Sequence, residues 1–146
     1  MLFKSLDAAG LSSSVVIQNL DDNIAELICS FFKLEKQDEI HVATSCMLGH
    51  YSFKPGCFVA TDFTDGKPQF GEVLLILCVM NAIYLAVKCS KTLDFDEHYY
   101  AFNTEETPLV SIIPLEKLRI NHPLACHVIT VGGKEMNFVN TRYKLF

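Results

Sequence analysis

The sequence predicts a mainly β domain: a small, partly open barrel of bent strands, with an N-terminal amphipathic helix and one short helical turn. Two apolar runs, Phe70–Met80 and Ile83–Val87, are separated only by Asn81 and Ala82, which is typical of two strands with a tight connection. The first run is long, because strands usually have about 5–6 residues. Long strands in small domains usually bend, so that one strand serves two sides of a barrel.

The size of the chain fits one domain with a large core. Its 146 residues are 50% hydrophobic, and a domain of this size buries roughly 68–70% of its unfolded surface. We expect residues 1–36 to form an arm and a helix that packs on or extends from the domain, and residues 37–146 to form the barrel-like domain. The longest apolar run, Val73–Met80, is far shorter than the roughly 20 residues that span a bilayer, so no membrane association is expected.

The cysteines and the net charge indicate the cellular location and the class of partner to expect. Of the six cysteines, Cys29, Cys78 and Cys89 lie inside apolar runs, where a free thiol behaves as a small buried hydrophobe. Met1–Ser5 lacks the pattern of a secretory signal. We therefore expect free thiols and an intracellular location, nuclear or cytoplasmic. The net charge is −5 and the 12 Lys and Arg residues are scattered, so nucleic acid is not an expected partner.

A helix is predicted over Asn23–Leu34, with Asp22 as its N-cap. Its apolar residues follow the i, i+3, i+4, i+7 spacing of one helix face; they are Ile24, Leu27, Ile28, Phe31 and Leu34. Leu27 and Phe31 are expected on the buried face, with Glu26 and Lys33 directed outward. The stripe either packs on the β domain or forms a dimerisation surface.

The remaining elements are short strands and turns. Ahead of the long apolar runs, strands are expected at residues 40–44 and 57–60, with turns at 54–56 and 65–68. Beyond them a strand at Leu109–Ile113 is stopped by Pro114, and Leu115–Leu118 forms the helical turn. Gly132 and Gly133 supply the positive φ of a two-residue hairpin turn between residues 126–131 and 134–138. Residues 141–146 alternate and are expected to close the sheet.

The segment Leu93–Phe102 has the most unusual composition, because it interleaves acids with rings. Aromatic faces beside carboxylates attract a cation, especially a methylated ammonium. The predicted partner-binding residues are Tyr84, Asp94, Asp96, Glu97, Tyr99, Tyr100 and Phe102. The alternative is that the acids are merely solvated and that the rings form the inward face of a strand.

Two pairs have the spacing of metal ligands: Cys46 with His50, and His122 with Cys126. Together they would offer two thiolates and two imidazoles, which are donors of a zinc site. Neither pair has the tight Cys-x-x-Cys knuckle, and the two pairs are far apart in the chain. We expect no cofactor and no metal, with these four residues as the alternative zinc set.

A cysteine-dependent enzyme would need a thiol with a basic imidazole within hydrogen-bond reach. The candidate thiols are Cys46, Cys57 and Cys126, and the candidate bases are His41, His50, His98, His122 and His127. Cys126 and His127 are adjacent, so on a strand they face opposite sides. The sequence also lacks a Gly-x-Ser-x-Gly motif, a phosphate-binding loop and a dinucleotide fingerprint, and a non-catalytic protein is therefore expected.

The order of features from Lys54 to Phe146 resembles bromo-adjacent-homology (BAH) modules and, more broadly, SH3-like and Tudor-like barrels. The resembling residues are Pro55–Val59, Phe70–Val73 with Ile76, Tyr84–Val87, His98–Phe102, and Ser111–Ile113 with Pro123 and Leu124. The chain is also similar to C-terminal segments of uncharacterised animal proteins that travel with mobile elements. BAH and Tudor modules often carry tryptophan in their aromatic sites, and this chain has none. The resemblance therefore implies the fold and a broad binding role.

The leading hypothesis is a non-catalytic protein-interaction module that binds a protein segment, expected to be basic, through the acidic and aromatic residues. One alternative is a structural domain that forms a homo-oligomer through the Asn23–Leu34 helix. The other is a cysteine- or zinc-dependent enzyme. A partner face should gather acids and rings on one exposed concave surface, whereas an assembly domain should leave Leu27, Phe31 or Phe32 uncovered.

Overall fold

A computed structural model of the protein describes residues 12–64, 66–97, 99–118 and 123–140. Within these ranges the molecule is mainly β, with one α-helix, α1 (Asp22–Phe32), and 3-10 turns at Ile17–Asn19 and Leu115–Lys117. In chain order the strands are β1 (Ser12–Val16), β2 (Glu39–Ala43), β3 (Cys46–Leu48), β4 (Tyr51–Phe53), β5 (Phe58–Thr64), β6 (Lys67–Val79), β7 (Ala82–Asp96), β8 (Ala101–Pro114), β9 (Ala125–Val131) and β10 (Lys134–Asn140). No helix in the described part of the chain has both the length and the apolar character needed to cross a bilayer.

Three long antiparallel strands, β6, β7 and β8, organise the main sheet. The order is β1-β2-β6-β7-β8-β10-β9, and β5 also pairs with β6. One edge of β6 is shared, because its first half pairs with β5 and its second half pairs with β2. Pairing of β6 with β7 shifts at Leu74, and β7 with β8 shifts at two further points. Such bulges bend a strand and increase its twist, so the long strands pass from one half of the sheet to the other.

The two outer strands of one half, β5 and β9, meet at a single bridge. Phe58, which begins β5, pairs with Leu124, which precedes β9. No continuous strand pairing joins β5 to β9 among the described residues, so the partly open barrel stays a prediction. The predicted closing strand at residues 141–146 lies outside the described residues.

The helix differs from its prediction in both its ends and its buried side. Asp21, rather than Asp22, is the N-cap, because its side chain accepts a hydrogen bond from Asn23 N at 3.0 Å. The helix ends at Phe32, since Lys33 adopts the left-handed conformation with φ 60°.

The expectation that Phe31 is buried is wrong, since the residue is 45% exposed and Leu27 is only half-buried. The buried stripe instead runs through Ile24 and Ile28 towards Phe32. These residues are spaced by four, so they lie one above the other along the helix. The stripe that was predicted through Leu27 and Phe31 is therefore turned partly towards solvent.

Among the described residues, three apolar clusters stabilise the sheet. Helix α1 covers Leu77, Ala86 and Ile112 on one side of the sheet. The β3–β4 hairpin contributes Cys46 and Phe53 to a second cluster, which contains Ile76, Leu85 and Val87 from the long strands. A third cluster, with Phe70, Phe102, Leu124 and Val139, fills the half formed by β5, the long strands, β10 and the start of β9. The residues 12–16 that were expected in an arm form β1, which pairs with β2.

Candidate functional site

The acidic and aromatic segment is the turn between β7 and β8. The strand pairing runs up to Phe95 with Phe102 and Asp96 with Ala101. Asp96 Oδ1 accepts a hydrogen bond from Tyr99 N at 3.1 Å, which ties the start of the turn to its far side. Tyr100 has φ 50°, a left-handed conformation that is uncommon for a bulky residue. The hydrogen bond at Tyr99 N and the left-handed conformation of Tyr100 therefore fix the backbone that carries these two consecutive tyrosines.

Two rings of the turn lie at the surface and are supported from below. Tyr99 is 41% exposed and its ring centroid lies 5.0 Å from that of Phe138. Tyr100 is 46% exposed and contacts Phe95 edge-on at 5.1 Å. Because Phe138 is buried and Phe95 packs on the third apolar cluster, both tyrosines are held against the core while one side of each stays accessible.

Phe102, by contrast, is a core residue. It is 1% exposed and packs on Phe70 and Phe95, with ring centroids 5.7 and 4.9 Å away. Phe102 is the second residue of β8, and its ring packs in the third apolar cluster with Phe70 and Val139. Phe102 therefore supports the turn from inside and offers no surface to a partner.

The three predicted acids differ in availability. The Asp94 side chain is almost fully exposed and lies 3.8 Å from Lys67 Nζ, which also donates to Leu93 O at 2.9 Å. An exposed ion pair of this kind contributes only about 0–1 kcal/mol. Asp96 is half-buried and holds the turn, whereas Glu97 is exposed. We define the acidic-aromatic face as Asp94, Asp96, Glu97, Tyr99 and Tyr100.

Tyr84 lies elsewhere, near the opposite end of β7. Its ring contacts Phe32 at 4.9 Å and Phe31 at 5.9 Å, both edge-on. It belongs to the cluster between the helix and the sheet. The structure therefore does not bring Tyr84 together with the acidic-aromatic face.

The alternative zinc residues are also dispersed. Cys46 is fully buried in the second apolar cluster, His50 is exposed, and Cys126 packs on the third cluster. His122 lies outside the described residues. Among the residues that the structure describes, no group of three or more metal-ligating side chains could hold a metal ion.

All six cysteines are free thiols, and four of them are held in the protonated form. Burial, with the neighbouring Cys57 and Cys78, raises the pKa of Cys46 from 9.0 to about 12. Burial also raises the pKa of Cys57, Cys78 and Cys126. A catalytic thiol needs the opposite shift, so none of these four is activated as a nucleophile.

A polar cavity that the sequence did not predict lies among β5 to β10. We call it the polar cup. It encloses about 250 Å³, and its polar lining residues are Glu72, Ser90, Thr104, Glu106, Cys126 and Asn137. These residues are far apart in the chain, and only the strand pairing assembles them. The sequence offered one signal for this site, which is the single acid Glu72 inside the otherwise apolar run Phe70–Met80, since charged residues are rarely buried.

Comparison of the chain with protein-family models, with curated proteins and with solved structures found no match.

Proposed function

We propose that this chain is a non-catalytic protein-interaction module, in which a partly open barrel presents the acidic-aromatic face to a basic protein segment. The observation that carries the proposal is a pair of exposed tyrosines in a segment that also exposes two carboxylates, Asp94 and Glu97. The ring of Tyr99 rests on the buried Phe138, and that of Tyr100 rests on the half-buried Phe95. Rings beside carboxylates attract lysine and arginine side chains. An intracellular setting, nuclear or cytoplasmic, agrees with the free thiols.

The backbone at Tyr100 supports the same proposal. A bulky residue with positive φ costs free energy, and such conformations cluster at binding and catalytic sites. Glycine or asparagine would relieve the cost at Tyr100. A tyrosine in that position places a large, half-exposed ring at the tip of the turn, and a binding role gives a reason for keeping it there.

The decisive experiment is a titration with a fluorescently labelled lysine-rich peptide, followed by anisotropy. The Tyr99→Ala/Tyr100→Ala variant should lose most of the affinity, because both rings are removed while the carboxylates remain. Tyr51→Ala is the matched control, since Tyr51 is exposed to a similar degree on β4, away from the turn. Equal binding by the parent and the double variant would contradict the proposal.

A second candidate function is self-assembly through α1. The observation that favours it is the exposed ring of Phe31, which extends the apolar patch of Phe32 and Tyr84 to the surface. In this case Phe31→Ser should convert an oligomer into a monomer in sedimentation velocity without unfolding the sheet. If the parent protein is already monomeric at high concentration, the assembly hypothesis fails and the interaction module remains.

A further inference from the structure

We propose that the polar cup is a second binding site, and that it takes an alkylammonium group with Glu72 as its counter-ion and Ser90 as a hydrogen-bond partner. This site is separate from the acidic-aromatic face and does not depend on the role proposed for that face. The proposal is carried by the strand register, by the hydroxyl of Ser90 and by the charges around the cavity.

Strand register places the lining residues on one face. Residues directly opposite in an antiparallel pair lie on the same side of the sheet, as do residues two apart in one strand. Phe58 is opposite Glu72, Ser90 is opposite Glu106, and Thr104 is opposite Asn137. Phe70 is two residues before Glu72 in β6 and is directly opposite Ser90. Glu72 and Ser90 therefore lie on the same side of the sheet. The cup therefore lies on the side of the sheet that carries Phe70 and the third apolar cluster.

Part of the wall of the cup is apolar. Phe58 and Val128 line it, and Phe58 packs on the third cluster, in which Phe70, Phe102, Leu124 and Val139 are buried. An alkyl chain can contact Phe58 and Val128 while a charged head reaches the polar lining, as long cationic side chains do elsewhere.

Ser90 offers the cup a nearly buried hydroxyl, and this observation is independent of the charges. Its side chain is only 7% exposed, and its hydroxyl makes no hydrogen bond to any residue that the structure describes. Its neighbours are satisfied, since Thr92 donates to Pro68 O and Thr104 to Asn137 O. Every fully inaccessible side-chain N or O atom in the described ranges has a partner. The Ser90 hydroxyl must therefore retain access to the cup, and a ligand there would complete its bonding.

The charges select a cation. Glu72 is half-buried and makes no ion pair within the described part of the chain. Lys88 is directly opposite Glu72 in the β6–β7 pair, and its Nζ lies 3.9 Å from Glu106 at the exposed rim. One lysine therefore faces two carboxylates, which leaves an excess of negative charge around the cup. Burial raises the pKa of Cys126, and the carboxylates of Glu72 and Glu106 raise it further, in agreement with a negative field in the cup. An ammonium group carries three donors and no acceptor, which matches a carboxylate, a hydroxyl and the Asn137 amide oxygen.

The test is an NMR titration of the isotope-labelled protein with n-butylammonium chloride, with n-butanol as the neutral probe of similar shape. The ammonium should shift the amide signals of Ser90, Thr104 and Asn137 saturably, whereas the alcohol should not. Glu72→Gln should weaken binding at least about tenfold. The matched control is Glu105→Gln, which removes the same charge from the opposite face of β8 and should stay within about twofold of the parent.

Further variants and a peptide probe test the role of Ser90 and identify the source of the ammonium group. Ser90→Ala should also weaken binding, and Glu106→Gln provides a second carboxylate test at the exposed rim if Glu72→Gln does not fold. A lysine-containing peptide that binds at least about tenfold more tightly than n-butylammonium would assign the cup to a protein side chain, and equal affinity would assign it to a free amine. Tyr99→Ala/Tyr100→Ala should leave binding in the cup unchanged. The proposal is overturned if n-butanol shifts the same signals, or if Glu72→Gln and Glu106→Gln both bind as tightly as the parent.

Discussion

The backbones of Phe58 and Leu124 exchange two hydrogen bonds: Leu124 N donates to Phe58 O at 2.8 Å, and Phe58 N donates to Leu124 O at 3.4 Å. This pair joins β5 to the start of the β9–β10 hairpin across residues that are distant in sequence. The side chain of Leu124 packs in the third apolar cluster, on which Phe58 and Cys126 of the polar cup also pack. One bridge and one buried leucine therefore bring the two outer strands of this half together.

Leu124→Ala tests whether that contact stabilises the fold. Leu124 is 6% exposed, so truncation should lower the free energy of unfolding by about 2–5 kcal/mol, as for other buried leucines. The matched control is Leu109→Ala, because Leu109 is 65% exposed and its loss should cost no more than about 0.5 kcal/mol. Urea unfolding followed by circular dichroism measures both. Equal effects of the two substitutions would show that the hairpin is not docked in solution.

The helix offers a second pair of matched truncations. Ile28 is fully buried against the sheet, so Ile28→Ala should cost about 2–5 kcal/mol. Phe31→Ala removes a half-exposed ring whose contacts with Phe32 and Tyr84 are edge-on, and such pairs contribute about 0.5–1.5 kcal/mol. Thermal or urea unfolding should therefore rank Ile28→Ala as the more damaging change. The reverse order would mean that the helix packs through its predicted stripe after all.

Binding through the acidic-aromatic face should depend on salt. The Debye length falls from about 8 Å at physiological ionic strength to about 3 Å at 1 M, so the affinity for a lysine-rich peptide should fall as salt is added. Asp94→Lys/Glu97→Lys should reduce it further and flatten the salt dependence. We avoid Asp96 because it holds the turn through Tyr99 N.

The control for this reversal is Glu26→Lys/Glu116→Lys, which changes the net charge equally at exposed positions on α1 and after β8. The control should retain nearly the affinity of the parent. If both double variants lose affinity to the same extent, the peptide responds to overall charge and the face carries no specific role.

Cys46 should make stability fall at alkaline pH. Its pKa is about 12 in the folded protein and 9.0 for the model thiol, so the unfolded chain releases its proton first as pH rises. The stabilisation is complete below pH 9 and decreases by up to about 1.4 kcal/mol per pH unit between 9 and 12. Urea unfolding of the parent and of Cys46→Ala from neutral to alkaline pH should show a gap that narrows above pH 9. A gap that stays constant would contradict the shift.

Local patterns predicted several elements well, because turn chemistry and apolar runs act within a few residues. Gly132 and Gly133 both have positive φ at the β9–β10 turn, as expected for a two-residue hairpin connection. Leu115–Lys117 forms the predicted helical turn after Pro114. The β6–β7 connection also lies at the predicted place, with positive φ at Met80 and Asn81.

Other features depend on register and bulges, which the sequence does not display. Strand β8 begins at Ala101 and passes through Pro108, although proline usually ends a strand; the β7–β8 pairing is irregular here, between Glu106 and Val110. Phe102 and Tyr100 are two residues apart, yet one is core and the other surface, because the turn ends between them. The polar cup needs the alignment of at least four strands, and no window of consecutive residues contains that information.

Strands β6, β7 and β8 belong to both halves of the sheet, and this limits how the molecule can open. These strands pass from the cluster covered by the helix to the third cluster, so neither half can detach without disrupting strands that the other half also uses. Amide hydrogens along the long strands should exchange only through global unfolding, whereas those of β1 and β9 at the two ends of the strand order should exchange through smaller openings. Chaperones, proteases or a strand from another molecule should therefore bind transiently at β1 and β9, and not at the strands in the middle of the sheet.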